Sequence, residues 1–207
     1  MTELAKKRAT YEDLYSIPEN MTGEIIDGEL IVTPRPSRKH GYAASSLGGR
    51  LTPPYQFGEG GGPGGWIFIA EPEIGLGEDI LVPDVAGWKR AGFPVDEDHN
   101  WISVPPSWVC EVLSPATART DKTGKMPVYA RFGVQHLWFI DPAVRTLDAF
   151  RLEEGKWVVV GLFVQNDKKR IEPFPEVEID LSDLWLEEIW TPPCPLSQRG
   201  VGGDLNC

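Results

Sequence analysis

The chain has 207 residues and a formal net charge of −11, a length that fits one domain with a sizeable core. The acidic balance argues against a protein that coats nucleic acid nonspecifically, though not against a nuclease whose local cationic patch guides a phosphate. Its three cysteines, Cys110, Cys194 and Cys207, are widely spaced with no CxxC, which argues against a disulfide framework or structural zinc site.

At the N-terminus, MTELAKKRATYEDL has no apolar secretory core, and no stretch of about eighteen apolar residues follows. A cytoplasmic protein with no membrane span is expected. Thr10 followed by Asp13 forms a capping-box pattern and predicts a short helix over 11–17. EIIDGELIV, 24–32, reads as a hairpin turning at Asp27-Gly28. Residues 38–52 suit a helix carrying His40, Ala44 and Leu47 on one face, weakened by Gly48 and Gly49. FGEGGGPGG, 57–65, lacks the GK[ST] ending of a phosphate-binding loop and the GxGxxG of a dinucleotide fold.

Three strands are expected next, at 66–70, 80–86 and 107–113, with an exposed loop over 92–106 before the last. A helix should run from Thr120 to Phe132 and stop at Gly133. Pro127 opposes it, since its ring conflicts with the carbonyl of Thr123. The helix therefore starts late, near Gly124, or is kinked. Strands at 136–141, 147–152 and 157–163 follow, then VEIDLSDLW, a short strand and a turn capped by Asp180 or Ser182. The expected organisation is one domain over 1–190 and a poorly packed tail over 191–207. A mixed α/β (α+β) domain, with a central sheet flanked by helices, accommodates this order best.

Two carboxylates need explaining. Glu111 lies within the apolar strand WVCEVL, on the face of Val109 and Leu113. Unpaired burial there costs several kcal/mol or forces protonation, so it requires a cation, a metal or hydrogen bonds. Asp84, after Pro83, poses the same question one strand earlier. In each case the plain alternative is structural: a salt bridge for Glu111, turn capping for Asp84. If the two converge, all-oxygen ligation suits Mg²⁺ or Mn²⁺, and a nearby lysine would offset charge in phosphodiester hydrolysis. Asp121 and Lys125 are an i,i+4 pair, for which surface pairing on a helix is the simple account. Glu24 opens a strand of isoleucines without an evident structural reason. His40 is a lone histidine beside a basic run. Arg119–Arg131 and Lys168–Arg170 are locally basic. GxSxG and HExxH are absent.

EIIDGELIV, RPSRKH, VPDVAGW, the long stretch WVCEVLSPATARTDKTGKMPVYARFGVQHLWFIDP and FPEVEIDLSDLW together resemble the Uma2 family (DUF820) of restriction-endonuclease-like proteins, over roughly residues 10–190. The resemblance implies the restriction endonuclease-like fold of the PD-(D/E)xK nuclease superfamily, with an N-terminal hairpin and a divalent metal, Mg²⁺ or Mn²⁺, held by carboxylates. By that likeness Pro83-Asp84 supplies the PD pair and Glu111 the second acid. Leu113 stands where the superfamily lysine would be, and Lys125 in the next helix takes its place. Glu24 corresponds to an upstream acid, a further metal ligand or water-binding group, and His40 to a recurring histidine that contacts the substrate phosphate or the metal's water shell. Gly124 replaces an acidic residue of the usual pattern, and Pro127 interrupts its helix. The expected activity is metal-dependent hydrolysis of DNA, by Asp84, Glu111, Glu24, Lys125 and His40, in a chain that pairs as a homodimer. The alternatives are a nonenzymatic interaction or nucleic-acid-binding protein that keeps the fold, and a metal-dependent hydrolase of a small phosphorylated substrate.

Overall fold

The computed structural model describes residues 7–95 and 98–186. The expected tail over 191–207 and the middle of the expected loop over 92–106 lie outside them. A short helix α1 (Tyr11–Leu14) begins at the predicted Thr10/Asp13 capping box but ends earlier than expected. The hairpin pairs β1 (Met21–Ile26) with β2 (Glu29–Pro34). Asp27 and Gly28 both have positive φ, 51° and 81°, as a two-residue hairpin turn matched to strand twist requires.

Helix α2 (Arg38–Leu51) is capped by Ser37, whose side chain accepts from the amide of His40. Gly48 and Gly49 do not interrupt it. Strand β3 (Trp66–Ala70) follows as expected. The strand expected over 80–86 is two strands in different sheets. β4 (Ile74–Leu76) and β5 (Asp79–Leu81) join the hairpin in a four-stranded sheet of order β2-β1-β5-β4. β6 (Val85–Lys89) lies in the large sheet. Pro83 causes the split: having no N–H, it cannot continue a ladder, and the chain passes between sheets at Val82-Pro83-Asp84. β4 itself was not foreseen.

β7 (Trp108–Val112) pairs antiparallel with β6 and parallel with β8 (His136–Asp141). A parallel pair needs a crossover, and helical turns over 118–131 supply it. β9 (Thr146–Glu153) and β10 (Lys156–Val164) complete a six-stranded mixed sheet of order β10-β9-β8-β7-β6-β3. β11 (Lys168–Ile171), also unforeseen, pairs with β12 (Phe174–Asp180). The side chain of Asp180 then caps a 3₁₀ turn, Leu181–Leu184, by accepting from the amide of Ser182.

Alternation along β7 divides its side chains between two cores. Trp108, Cys110 and Val112 pack with Ala43, Leu47 and Leu51 of α2 and with Phe174 and Ile179. Val109 and Leu113 pack with Val128, Tyr129, Leu137 and Phe139, and with Ile26, Ile74 and Leu81 of the hairpin sheet. Glu111 therefore points toward the seam between the two sheets and the crossover helix. No helix among the described residues is long and apolar enough to cross a membrane.

Candidate active site

The crossover between β7 and β8 carries Lys125. It begins with α3 (Ala118–Thr120), passes through a π-helical turn (Asp121–Lys125) and ends as α4 (Met126–Arg131). In the π-turn the amide of Met126 donates to the carbonyl of Asp121, five residues back. Pro127 sits at the start of α4, where its missing N–H costs little. The helix is thus continuous over 118–131 and starts before Gly124, contrary to a late start. The change of ladder accommodates the proline. Asp121, Lys125 and Tyr129, each four residues apart, all turn toward the seam.

There Lys125 Nζ lies 3.0 Å from Glu24 Oε1, 3.1 Å from Glu111 Oε2 and 3.2 Å from Asp121 Oδ1. The hydroxyl of Tyr129 donates to Glu111 Oε1 at 2.6 Å. Glu24 Oε1 also accepts from the amide of Val82 at 2.7 Å, which ties the hairpin to the strand junction. Asp84 Oδ2 accepts from the amide of Val112 at 2.6 Å, next to Glu111 in the chain. Asp84 Oδ1 lies 3.3 Å from His40 Nε2. Glu24, His40, Glu111, Asp121 and Lys125 are all buried, Glu111 to 1% exposure. Leu113 is buried in the apolar core.

Burial pushes the carboxyl of Glu111 well above its usual range; the charge of Lys125 opposes this, and Asp121, Asp84 and Glu24 reinforce it. Glu24 and Asp121 are raised by burial too. Burial alone would lower Lys125, but Glu111, Glu24, Asp121 and Asp84 outweigh it and hold the ammonium well above its ordinary value. Burial also opposes the charged form of His40, yet the hydrogen bond and charge of Asp84 raise it overall. The three carboxylates within 3.2 Å of its Nζ favour the charged form of Lys125.

All five expected residues, Glu24, His40, Asp84, Glu111 and Lys125, line one cavity of about 310 Å³ together with Asp121. Sequence reasoning took Asp121 as a surface partner of Lys125; it is 2% exposed. It did not single out Tyr129, though the spacing Asp121-Lys125-Tyr129 was a usable signal. The basic segments are largely consumed by internal partners. Arg131 pairs with Asp27 and Asp79. Lys168 pairs with Asp180, and Arg170 donates to the carbonyls of Pro175 and Glu176. Lys122 lies 5.6 Å above the ring of Phe139. Among the described residues no three His, Cys, Asp or Glu side chains form a ready-made metal cluster. Glu24, expected as a metal ligand, is turned to Lys125 and the Val82 amide.

The Uma2 family model, described as "Putative restriction endonuclease", matches residues 8–182. Among solved structures, a protein from Anabaena variabilis ATCC 29413, described as "a putative nuclease belonging to DUF820", is similar with a TM-score of 0.66. It is 23% identical, and the match covers 86% of this chain and 97% of that one. The likeness at that identity concerns the fold. No curated protein matches. The family match takes in every strand of the three sheets and every residue of the buried cluster, and the chain belongs to the Uma2 family.

Proposed function

We propose that this protein is a divalent-cation-dependent nuclease of the PD-(D/E)xK type that hydrolyses DNA phosphodiester bonds, with its lysine on the crossover helix. The observation that supports this most is the contact of Lys125 with Glu111. It brings the lysine of the helix onto Glu111, whose neighbour Val112 donates its amide to Asp84.

The donor set fits Mg²⁺ or Mn²⁺, whose ligands are oxygens. Each oxygen of Asp84 and Glu111 has one partner, and a carboxylate has about four lone-pair sites, so capacity remains. In the buried cluster four carboxyl groups share one lysine and one histidine, and a divalent ion bound there would favour their charged forms. Asp84 and Glu111 would hold it, and it would polarise a phosphoryl oxygen and acidify a bound water.

The chain's own groups hold those two ligands in place. Tyr129 and Lys125 fix the two oxygens of Glu111. His40 and the Val112 amide fix those of Asp84. Glu24 and Asp121 anchor the ammonium of Lys125, which offsets negative charge as the phosphate is attacked. The test is cleavage of single- and double-stranded DNA with Mg²⁺ or Mn²⁺. Asp84→Ala and Glu111→Ala should drop to background. Equal activity in all three proteins would refute the site.

A second reading is metal-dependent hydrolysis of a small phosphorylated substrate. The cavity of about 310 Å³ is at the small-molecule scale, and the net charge of −11 disfavours long nucleic acids. Turnover of a chromogenic phosphodiester without DNA cleavage would favour it.

A further inference from the structure

Among the described residues, three cationic side chains line the catalytic cavity: Lys125, His40 and Arg35. Lys125 is enclosed by three carboxylates and cannot leave them without exposing buried charge. His40 is buried and held by Asp84. Arg35 differs on both counts. Its side chain is 58% exposed, and its acidic neighbour, Glu71 Oε2, is 3.6 Å away, longer than a charge-assisted hydrogen bond of about 2.7–2.9 Å. Its other contact is a long one, 3.4 Å to the carbonyl of Glu19.

The backbone presents Arg35 from a stiff rim. Pro34 and Pro36 flank it, each with its own φ locked, and a residue before proline is confined to extended conformations. Arg35 and Glu71 also line a neighbouring cavity of about 230 Å³ whose walls include Tyr11, Tyr15 and Glu73. The two side chains therefore stand where the cavities meet. Glu71 is held at φ 47°, a conformation that non-glycine residues seldom keep without cause. Its amide donates to the carbonyl of Asp84 at 3.1 Å, which ties it to a proposed metal-holding residue.

We infer that Arg35 is the phosphate-binding residue of this site, receiving a substrate phosphodiester at the junction of the two cavities, and that Glu71 is its occupant in the absence of substrate. This rests on the nuclease reading above. A guanidinium forms paired hydrogen bonds to phosphate oxygens, and Glu71 offers a weaker carboxylate version of that contact. The substrate displaces Glu71, so Glu71 competes with it. Arg38 and Lys39, in the first turn of α2 just beyond, add positive charge where the helix dipole disfavours it; an anion docked nearby relieves that repulsion.

Competition gives the two partners opposite effects. Binding of fluorescein-labelled single-stranded and duplex 20-mers is measured by anisotropy with Ca²⁺ across a salt series. Arg35→Met should weaken binding about tenfold and reduce the salt slope by about one. Glu71→Gln should tighten binding about threefold. Both variants should melt close to the wild type, because an exposed ion pair adds little stability. If the wild type binds DNA but neither variant changes affinity, or both weaken it alike, the assignment of Arg35 is overturned and the nuclease reading stands. If the wild type neither binds nor cuts either DNA, both fall.

Discussion

A buried lysine touching three carboxylates is costly to dismantle. Lys125→Met would leave Glu24, Glu111 and Asp121 without their shared cation. The expected loss is about 3–5 kcal/mol, the range for breaking a buried ion pair on one side, read from urea unfolding at pH 7. The pH dependence has a definite sign. Glu111, Glu24 and Asp121 have raised folded-state pKa values. Their contribution is fully present below the unfolded values near about 4 and is lost as pH rises through the folded ones. Lys125→Met should accordingly lie nearest the wild type in acid and fall further below it toward pH 8. Glu111 was legible in the sequence because a charge inside WVCEVL violates the pattern around it. Tyr129 was not, because an aromatic on an apolar helix face violates nothing; only its hydroxyl, 2.6 Å from Glu111, distinguishes it from core.

At the scale of elements, the hairpin was readable because Asp27-Gly28 is a local signal. The split at Pro83 and the short strands β4 and β11 were not, since three or four residues carry too little periodicity to declare a strand. The crossover lay between these cases: Pro127 advertised a conflict, but either a late start or a kink would have answered it, and the structure uses a π-turn. Gly124 in that turn does not have a positive φ, and a Cβ there would meet Ile26 Cγ2 at an ordinary 3.5 Å. Gly124→Ala should therefore keep the fold and raise stability by about 0.5–1 kcal/mol through helix propensity, measurable by thermal melting. At the other end of the chain, Asp180 is lowered to about 2, first by its hydrogen bond from Lys168 and then by those from Ser182. Its contribution is present above the unfolded value near about 3.9 and lost as pH falls through the folded one. The gap in melting temperature between wild type and Asp180→Asn, open at pH 5, should close as pH falls through about 2.

At the scale of the molecule, the large mixed sheet follows from the strand and helix order and matches the expected class. The second sheet does not, because it joins β1 and β2 to β4 and β5 across a long stretch of sequence, a pairing that local patterns do not encode. That second sheet completes the site. Glu24 arrives on it, Glu111 on the large sheet and Lys125 on the crossover, so the charged cluster exists only when all three have docked. The ammonium of Lys125 is consequently a chemical reporter of that docking. An amine-reactive acylating reagent should modify exposed lysines such as Lys39 and Lys156 promptly and leave Lys125 untouched in the native protein. Acylation of Lys125, followed by peptide mass spectrometry across a denaturant series, should track global unfolding. Prompt modification in native buffer would show that the sheets part on their own, and that the cluster spends part of its time open to water.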